Sequence, residues 1–175
     1  MLKLFFGPMF SGKTTLLLHN LERYKLGGKK CLVLKYCHDN RYSENEIVSH
    51  IHQKHTALSI KYLIQIIPIF YKYDVIIIDE IQFFKDAAFI CKILAKNKIV
   101  EAYGLNGDFE QKPFEQVSRL IPLCDSITHL TAIDKINGKD APFTIRKIDS
   151  RKQELIGSDD IYFAVSRDNI NTKFT

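Results

Sequence analysis

Two patterns of hydrophobic and polar positions alternate along most of the chain. Short uninterrupted apolar runs, which are typical of buried strands, are separated by segments with apolar residues at helical spacing. The apolar runs cover residues 2–6, 31–36, 74–78, 98–105 and 126–132. The helical segments cover residues 14–26, 59–67 and 83–96. Because strands that alternate with helices form mainly parallel sheets, the sequence predicts an α/β fold, with strand 31–36 beside the first strand.

The pattern changes after Ala132. A turn-like stretch at residues 137–140 is followed by short β-like runs at residues 143–148 and 154–156, joined by polar links. We therefore predict two units: an α/β domain of residues 1–132 and a small C-terminal β/loop lobe of residues 133–175. Within the first unit, the polar stretch 37–55 predicts a surface loop.

The composition agrees with a globular α/β protein and bears on its cellular compartment. The chain has 175 residues, of which 46% are hydrophobic and 26% charged, as in an ordinary globular domain. No apolar run approaches the roughly 20 residues that span a bilayer, and the glycine turn at Gly7 comes too early for a signal peptide. Four scattered cysteines without CxxC spacing make disulfides unexpected. We therefore expect a cytoplasmic protein that binds no membrane.

The charge balance adds one expectation about partners. The net charge is +5, but lysines and glutamates are interspersed, and no basic stripe is interleaved with aromatic residues. This pattern favours a solvated surface that attracts polyphosphate over a surface that binds nucleic acid.

Residues 7–14 match the phosphate-loop pattern GxxxxGK(S/T), and they lie between a predicted strand and a predicted helix, as the motif requires. We predict that the whole loop binds ATP: Gly7, Pro8, Met9, Phe10, Ser11, Gly12, Lys13 and Thr14. Backbone N–H groups can surround phosphate oxygens, Lys13 can reach the β- and γ-phosphates, and the Thr14 hydroxyl can bind Mg²⁺. A glycine turn with a solvent-facing lysine is the alternative. The sequence therefore favours a phosphate-loop NTPase type of sheet flanked by helices.

A second candidate feature is the apolar strand that ends in Asp79 and Glu80. Such a strand is expected where a phosphate loop is paired with an acid that holds Mg²⁺. As long as the chain stays extended, the two side chains point to opposite sides, so they take different roles. Asp79 suits the outer shell of the Mg²⁺, and Glu80 suits an activating base. A charged pair that merely ends a strand is the alternative.

Three segments together carry a resemblance to a known family. They are the phosphate loop, the run Asp-Glu-Ile-Gln-Phe-Phe at 79–84, and the run Leu-Asn-Gly-Asp-Phe-Glu-Gln-Lys-Pro-Phe at 105–114. Shorter matches occur at residues 35–36, 39–42, 130–132 and 156–162. In these segments the chain resembles type II thymidine kinases, the cellular and poxvirus kind, nearly from end to end.

The resemblance implies a reaction and a set of site residues. The γ-phosphate of ATP would pass to the 5′-hydroxyl of thymidine or deoxyuridine, with Glu80 as the general base and with Lys13, Arg41 and Mg²⁺ stabilising the transferred group. Asp39 would meet the deoxyribose 3′-hydroxyl. The base would lie among Met9, Phe83, Leu105, Phe109 and Phe114, with Phe109 as the stacking residue, although a single phenylalanine is more often a core residue. The implied cap consists of Gln153, Glu154, Leu155, Ile156 and Gly157 together with Tyr162. Related kinases usually form homodimers or homotetramers, and the resemblance implies the same for this chain.

The chain also departs from the family pattern. Many members hold the small lobe with zinc bound by two CxxC pairs, whereas the aligned residues here are Asp134, Asn137, Ser166 and Asn169. These are poor zinc ligands, so we predict no structural zinc. The loop histidines His38, His50, His52 and His55 lack partners at ligand spacing and are expected to be solvated. Ile81 and Ser158 stand where glycine is frequent, and Asn106 replaces an aspartate.

Two other functions stay open on the sequence. One is a phosphate-loop ATPase switch whose lobe binds a macromolecular partner. The other is a degenerate kinase homologue that binds nucleotide without turnover. Dependence of ATP consumption on a nucleoside acceptor separates the kinase from both.

Overall fold

The computed structural model describes residues 1–38, 46–48, 54–146 and 161–171. The strands are β1 Leu2–Gly7, β2 Cys31–Tyr36, β3 Glu46–Val48, β4 Lys54–Thr56, β5 Leu58–Ile60, β6 Val75–Ile78, β7 Ile99–Leu105, β8 Ser126–His129, β9 Ala132–Ile133, β10 Asp140–Ala141, β11 Phe143–Arg146 and β12 Tyr162–Val165. The helices are α1 Lys13–Leu26, α2 Ala87–Leu94 and α3 Glu115–Leu120. Short 3₁₀ turns cover Leu63–Ile66, Phe70–Lys72, Ile81–Phe83, Ile121–Leu123 and Arg167–Asn169.

The main sheet has six strands in the order β5-β2-β6-β7-β1-β8, and every pairing in it is parallel. Helix α1 covers one face, where Leu17, Leu18 and Leu21 pack against the sheet. Helices α2 and α3 cover the other face. All four residues of β6 are fully buried, which explains its uninterrupted apolar sequence. The predicted α/β fold is confirmed. No helix within the described ranges is long and apolar enough to cross a membrane.

A buried carboxylate fixes helix α1 on the sheet. Glu101 of β7 is 1% exposed and accepts hydrogen bonds from the hydroxyls of Tyr24 (2.6 Å) and Tyr103 (2.7 Å). Lys3 and Asn20 donate to the same carboxylate, each at 3.2 Å. Burial and the neighbouring carboxylate raise the pKa of Tyr103, so its hydroxyl keeps the proton that it donates. Because Lys13 and Thr14 of the phosphate loop belong to α1, this network also fixes the position of the loop.

Some predicted elements were wrong. Strand β2 lies between β5 and β6 and does not contact β1 as a neighbour. The segment predicted as helix 59–67 contains β5 and the 3₁₀ turn Leu63–Ile66. Asp86 accepts the N–H groups that begin this turn, at Leu63 and Ile64, so a distant side chain stabilises a structure that local spacing does not indicate. The predicted loop 37–55 includes the hairpin β3–β4.

Two further boundaries differ from the predicted ones. The predicted helix 83–96 begins at Ala87, because the chain first forms the 3₁₀ turn Ile81–Phe83. The predicted strand 126–132 is divided: β8 ends at His129, and Ala132 belongs to β9, which pairs with β10 outside the main sheet.

The residues after β8 form two small antiparallel pairs, β9 with β10 and β11 with β12. Their shared apolar contact is built from Ala132, Ala141 and Ala164, and the ring of Phe10 packs against it. A residue of the predicted phosphate loop therefore inserts its side chain into this small lobe. The lobe and the loop are in direct contact.

Candidate active site

The strand order brings the two predicted chemical segments to one edge of the sheet. Strands β1 and β6 lie on either side of β7, and all three run in the same direction. Two interstrand spacings of about 4.8 Å separate their carboxyl ends by roughly 10 Å. The phosphate loop leaves β1 at Gly7, and Asp79 follows β6. The phosphate loop and the two acids therefore lie at the same edge of the sheet, on either side of the end of β7.

The loop has the backbone geometry of a phosphate cradle. A Cβ at Gly7 would overlap the Leu130 carbonyl oxygen and lie 2.8 Å from Ser11 Oγ, so only glycine fits there. Phe10 and Gly12 have left-handed φ angles of 64° and 77°. The Lys13 ammonium donates to the Pro8 carbonyl at 2.6 Å and to the Gly7 carbonyl at 3.2 Å. This places the cation inside the curve of the loop.

Helix α1 begins at Lys13, so the last two residues of the loop, Lys13 and Thr14, belong to its first turn. Within the described ranges, no side chain caps its first turn, and that turn contains no acidic residue. Its first N–H groups and the positive end of its dipole are therefore suited to bind an anion held in the loop.

The two acids leave the strand in a sharp turn. Asp79 is 9% exposed and accepts the Glu80 N–H at 3.1 Å. Glu80 has φ 51° and ψ 47°, a left-handed conformation that costs a non-glycine residue about 1–2 kcal/mol. The chain does not stay extended here, so the alternation of a strand does not decide where the two side chains point. Strain of this kind is common at functional sites.

Gln82 holds the Glu80 carboxylate, a role that the sequence analysis did not assign. Its side-chain amide donates to Glu80 Oε2 at 2.6 Å, and its Oε1 accepts the Leu105 N–H at 3.1 Å. A Cβ at Gly104 would lie 2.7 Å from that oxygen, so glycine at this position leaves room for the Gln82 side chain. In the sequence, this role was indicated by the amide side chain of Gln82 two residues after Glu80.

The loop after β7 presents Phe109. Asp108 is 5% exposed, and its Oδ1 accepts the N–H groups of Glu110 and Lys112, both at 2.9 Å. These bonds close a tight turn with Phe109 near its tip, half-buried. The Arg146 guanidinium carbon lies 3.7 Å from the centroid of the Phe109 ring. Its Nη2 donates to the Tyr162 hydroxyl at 2.9 Å. The structure therefore brings together Phe109 and Tyr162, two predicted nucleoside-binding residues.

The other predicted nucleoside residues differ in exposure. Phe83 is half-buried, and its ring centroid lies 5.5 Å from that of Tyr36. Met9 and Leu105 are also half-buried. Phe114 is 6% exposed and belongs to the main hydrophobic core, so only a small part of its ring is left for a ligand. Its role in binding stays a prediction.

Several predicted site residues lie outside the described part of the chain. They are Asp39, Arg41, Gln153, Glu154, Leu155, Ile156 and Gly157. Ser158 and the histidines at positions 50 and 52 also fall there. Their predicted roles remain predictions.

Two polar contacts tie the lobe to this edge of the sheet. The Met9 N–H donates to Thr144 Oγ1 at 2.9 Å, and the Asn106 side-chain amide donates to the Pro142 carbonyl at 2.8 Å. An aspartate at position 106 could not donate that bond, which gives a structural reason for the asparagine. Because these partners are far apart in sequence, local patterns do not reveal them.

The four residues aligned with family zinc ligands form a hydrogen-bonded group, called here the Asp134 cluster: Asp134, Asn137, Ser166 and Asn169. Asp134 is 1% exposed, and its Oδ2 accepts the Ser166 N–H and the Asn169 amide, both at 2.8 Å. Its Oδ1 accepts the Ile136 N–H at 2.9 Å. Asn137 donates to Ser166 Oγ at 2.9 Å.

The charge state of the Asp134 cluster follows from these bonds. Burial opposes ionisation of Asp134, but the donors at Ser166, Asn169 and Ile136 outweigh it and hold the pKa of the carboxyl below its ordinary value. Both carboxylate oxygens are thus occupied by donors, and the remaining groups are two amides and a hydroxyl. Such a set does not fit a thiolate-type zinc site. Within the described ranges, no group of three or more His, Cys, Asp or Glu residues is arranged to hold a metal ion.

Comparison with known proteins identifies the family. The sequence profile of the family described as thymidine kinase matches residues 1–170. The thymidine kinase of raccoon poxvirus is 38% identical over 167 residues, which cover 95% of this chain and 94% of that protein. Thymidine kinase 1 of Dictyostelium discoideum is 39% identical over 176 residues, covering 98% and 78%. The thymidine kinase of Amsacta moorei entomopoxvirus is 39% identical over 173 residues, covering 95% of each. With these matches over almost its whole length, the chain belongs to the thymidine kinase family.

Proposed function

We propose that this protein transfers the γ-phosphate of ATP to the 5′-hydroxyl of thymidine, giving the 5′-monophosphate for DNA synthesis, with deoxyuridine as a second acceptor. The observation that carries the proposal is the pairing of the phosphate loop with Glu80, whose carboxylate is held by Gln82 at the same edge of the sheet. A water-activating ATPase would also need a phosphate loop and an acid such as Glu80, so these two features do not identify the acceptor. The neighbouring aromatic platform at Phe109 and Tyr162 favours a flat acceptor.

In the proposed reaction, the loop N–H groups and Lys13 bind the β- and γ-phosphates. Glu80 accepts the proton of the 5′-hydroxyl as its oxygen bonds to the γ-phosphorus, and the bond from that phosphorus to the β,γ-bridging oxygen breaks to release ADP. Thr14 and Asp79 supply hydroxyl and carboxylate oxygens, the ligand types that Mg²⁺ prefers. Charge on the phosphate oxygens is neutralised by Mg²⁺ when it is bound. Arg41 is proposed to assist Lys13 in stabilising the transferred group.

The acceptor is proposed to lie between the acids and the lobe. Its base would stack on Phe109, with Met9, Phe83, Leu105 and Phe114 as apolar neighbours. Tyr162 and the segment 153–157 would cover it, and Asp39 would bind the 3′-hydroxyl. Closing this cover excludes water and so limits idle hydrolysis of ATP.

The proposal is tested by measuring ADP formation with Mg²⁺, ATP and a panel of deoxynucleosides. We expect stoichiometric ADP formation with thymidine, a lower rate with deoxyuridine and almost none without an acceptor. ADP formation that ignores nucleosides but rises with a protein or DNA partner would instead support an ATPase switch. Nucleotide binding with no turnover under any condition would support a degenerate homologue.

We also propose that the lobe contains no structural zinc, because the Asp134 cluster satisfies its own polar groups. Dialysis of the purified protein against EDTA, without substrates, is expected to leave the melting temperature unchanged. Metal analysis before dialysis is expected to find far less than one zinc per chain. Stoichiometric zinc whose removal lowers the melting temperature would contradict the proposal.

For partners and compartment, we propose a cytoplasmic homodimer or homotetramer that acts on a small nucleoside and uses neither nucleic acid nor membrane. All four cysteines are free thiols, as is usual in a reducing compartment. The edge strand β8 is exposed along its length and carries Ile127, a surface suited to association. Sedimentation velocity measures the state, and a monomer at micromolar concentration would contradict it.

A further inference from the structure

Arg146 contacts two residues of the proposed nucleoside site, although no sequence motif indicates this. Its guanidinium carbon lies 3.7 Å from the centroid of the Phe109 ring and 5.2 Å from that of Tyr162. The same group donates to the Tyr162 hydroxyl at 2.9 Å. One planar cation therefore contacts both aromatic residues of the proposed nucleoside platform.

The contact with Phe109 limits how a base can bind. At this distance the guanidinium is stacked on one face of the ring, an arrangement favoured by the ring's negative face. A base that stacks on Phe109 has to use the opposite face. Because Phe109 lies on a turn, its ring orientation depends on such side-chain contacts rather than on a helix or strand.

The strand that carries Arg146 also contacts the phosphate loop. Arg146 and Thr144 are two residues apart in β11, so their side chains lie on the same side of the strand. Thr144 accepts the Met9 N–H, whereas Arg146 contacts Phe109. The position of the aromatic platform is thereby fixed relative to the phosphate loop.

We propose that Arg146 is a positioning residue for the acceptor nucleoside: it orients Phe109 and Tyr162 so that the base binds on the face of the Phe109 ring opposite the guanidinium. It sets nucleoside affinity and does not take part in phosphoryl transfer. The inference rests on the proposed kinase function.

The test compares Arg146→Met and Arg146→Lys with the natural chain. For Arg146→Met we expect the thymidine KM and the calorimetric thymidine Kd to rise about tenfold, within the range of a lost cation–π contact and hydrogen bond. The kcat and the ATP KM should change less than about twofold, because no group that touches phosphate is altered. Arg146→Lys should recover part of the loss, since it keeps the charge but not the planar fork.

Arg167→Met is the matched control. Arg167 also lies over an aromatic ring of the lobe, 4.8 Å from the centroid of Phe143, but is outside the proposed platform. It should leave the thymidine KM unchanged. In a Phe109→Leu background, Arg146→Met should raise the KM by a clearly smaller factor, because the stacking partner is already gone.

An unchanged thymidine KM and Kd in Arg146→Met would overturn the inference, as would equal losses in kcat and ATP affinity. These results are separable from a failure of the proposed function. If the natural chain forms no ADP with any nucleoside, the proposed kinase function is wrong. If the natural chain is active and Arg146→Met has the same thymidine KM and Kd, only the proposed role of Arg146 is wrong. The calorimetric Kd tests that role without turnover.

Discussion

Replacing Glu80 by glutamine is expected to lower kcat for thymidine phosphorylation at least about a hundredfold, within the usual range for loss of a general base. The amide cannot accept the proton of the 5′-hydroxyl. It still has an oxygen that accepts the hydrogen bond from Gln82, so the local geometry is kept. Steady-state kinetics measures the loss, and equilibrium binding should give an ATP affinity close to that of the natural chain.

Glu115→Gln is the control for Glu80→Gln. Glu115 is an exposed residue of α3 that pairs with Arg119 on the surface, so its replacement removes a negative charge without touching the site. It should leave kcat unchanged. Undiminished turnover in Glu80→Gln would remove this residue from the chemistry.

Replacing Asp134 by alanine is expected to lower the free energy of unfolding by about 2–4 kcal/mol, because three donors lose one buried, charged acceptor at once. The donors left behind are the Ser166 N–H, the Ile136 N–H and the Asn169 amide. Urea denaturation measures the change. Asp168→Asn is the control: Asp168 is an exposed aspartate of the same lobe, paired with Lys139 on the surface, and should change stability little.

The contribution of Asp134 also has a predictable pH dependence. Its pKa is lowered in the folded state from an ordinary value of 3.8, so its stabilising effect is fully present above that pH. The effect is lost as the pH falls below 3.8 towards the folded-state pKa. The stability difference between the natural chain and Asp134→Asn should therefore shrink from pH 7 to pH 3. A difference that stays constant over this range would contradict an ionised Asp134.

The local pattern of hydrophobic and polar residues was sufficient to predict the elements whose burial is regular along their length. The apolar run of β6 and the helical spacing of α1 predicted those elements within a residue or two, and the strand–loop–helix context located the phosphate loop. The predicted helix 59–67 failed because its structure depends on Asp86, more than twenty residues away. Periodicity reports which side of an element is buried, but not which distant side chain completes it.

The same limit explains what was missed in the site. Gln82 was visible as part of a motif, but its two hydrogen bonds require the left-handed turn at Glu80 and the missing side chain at Gly104. The contact between Arg146 and Phe109 joins a residue of strand β11 to a residue of the turn after β7. The Asp134 cluster was expected only as a set of poor zinc ligands. Its hydrogen bonds explain how a carboxylate, two amides and a hydroxyl hold the lobe together.

The proposed reaction requires direct transfer of a phosphoryl group from ATP, held by the phosphate loop, to an alcohol activated by Glu80. The measurement that tests this is the destination of the γ-phosphate of ATP labelled at that position, in the presence of thymidine and Mg²⁺. We expect the label to appear in thymidine 5′-monophosphate, with one ADP formed for each labelled product. Label released as inorganic phosphate while thymidine stays unmodified would contradict it.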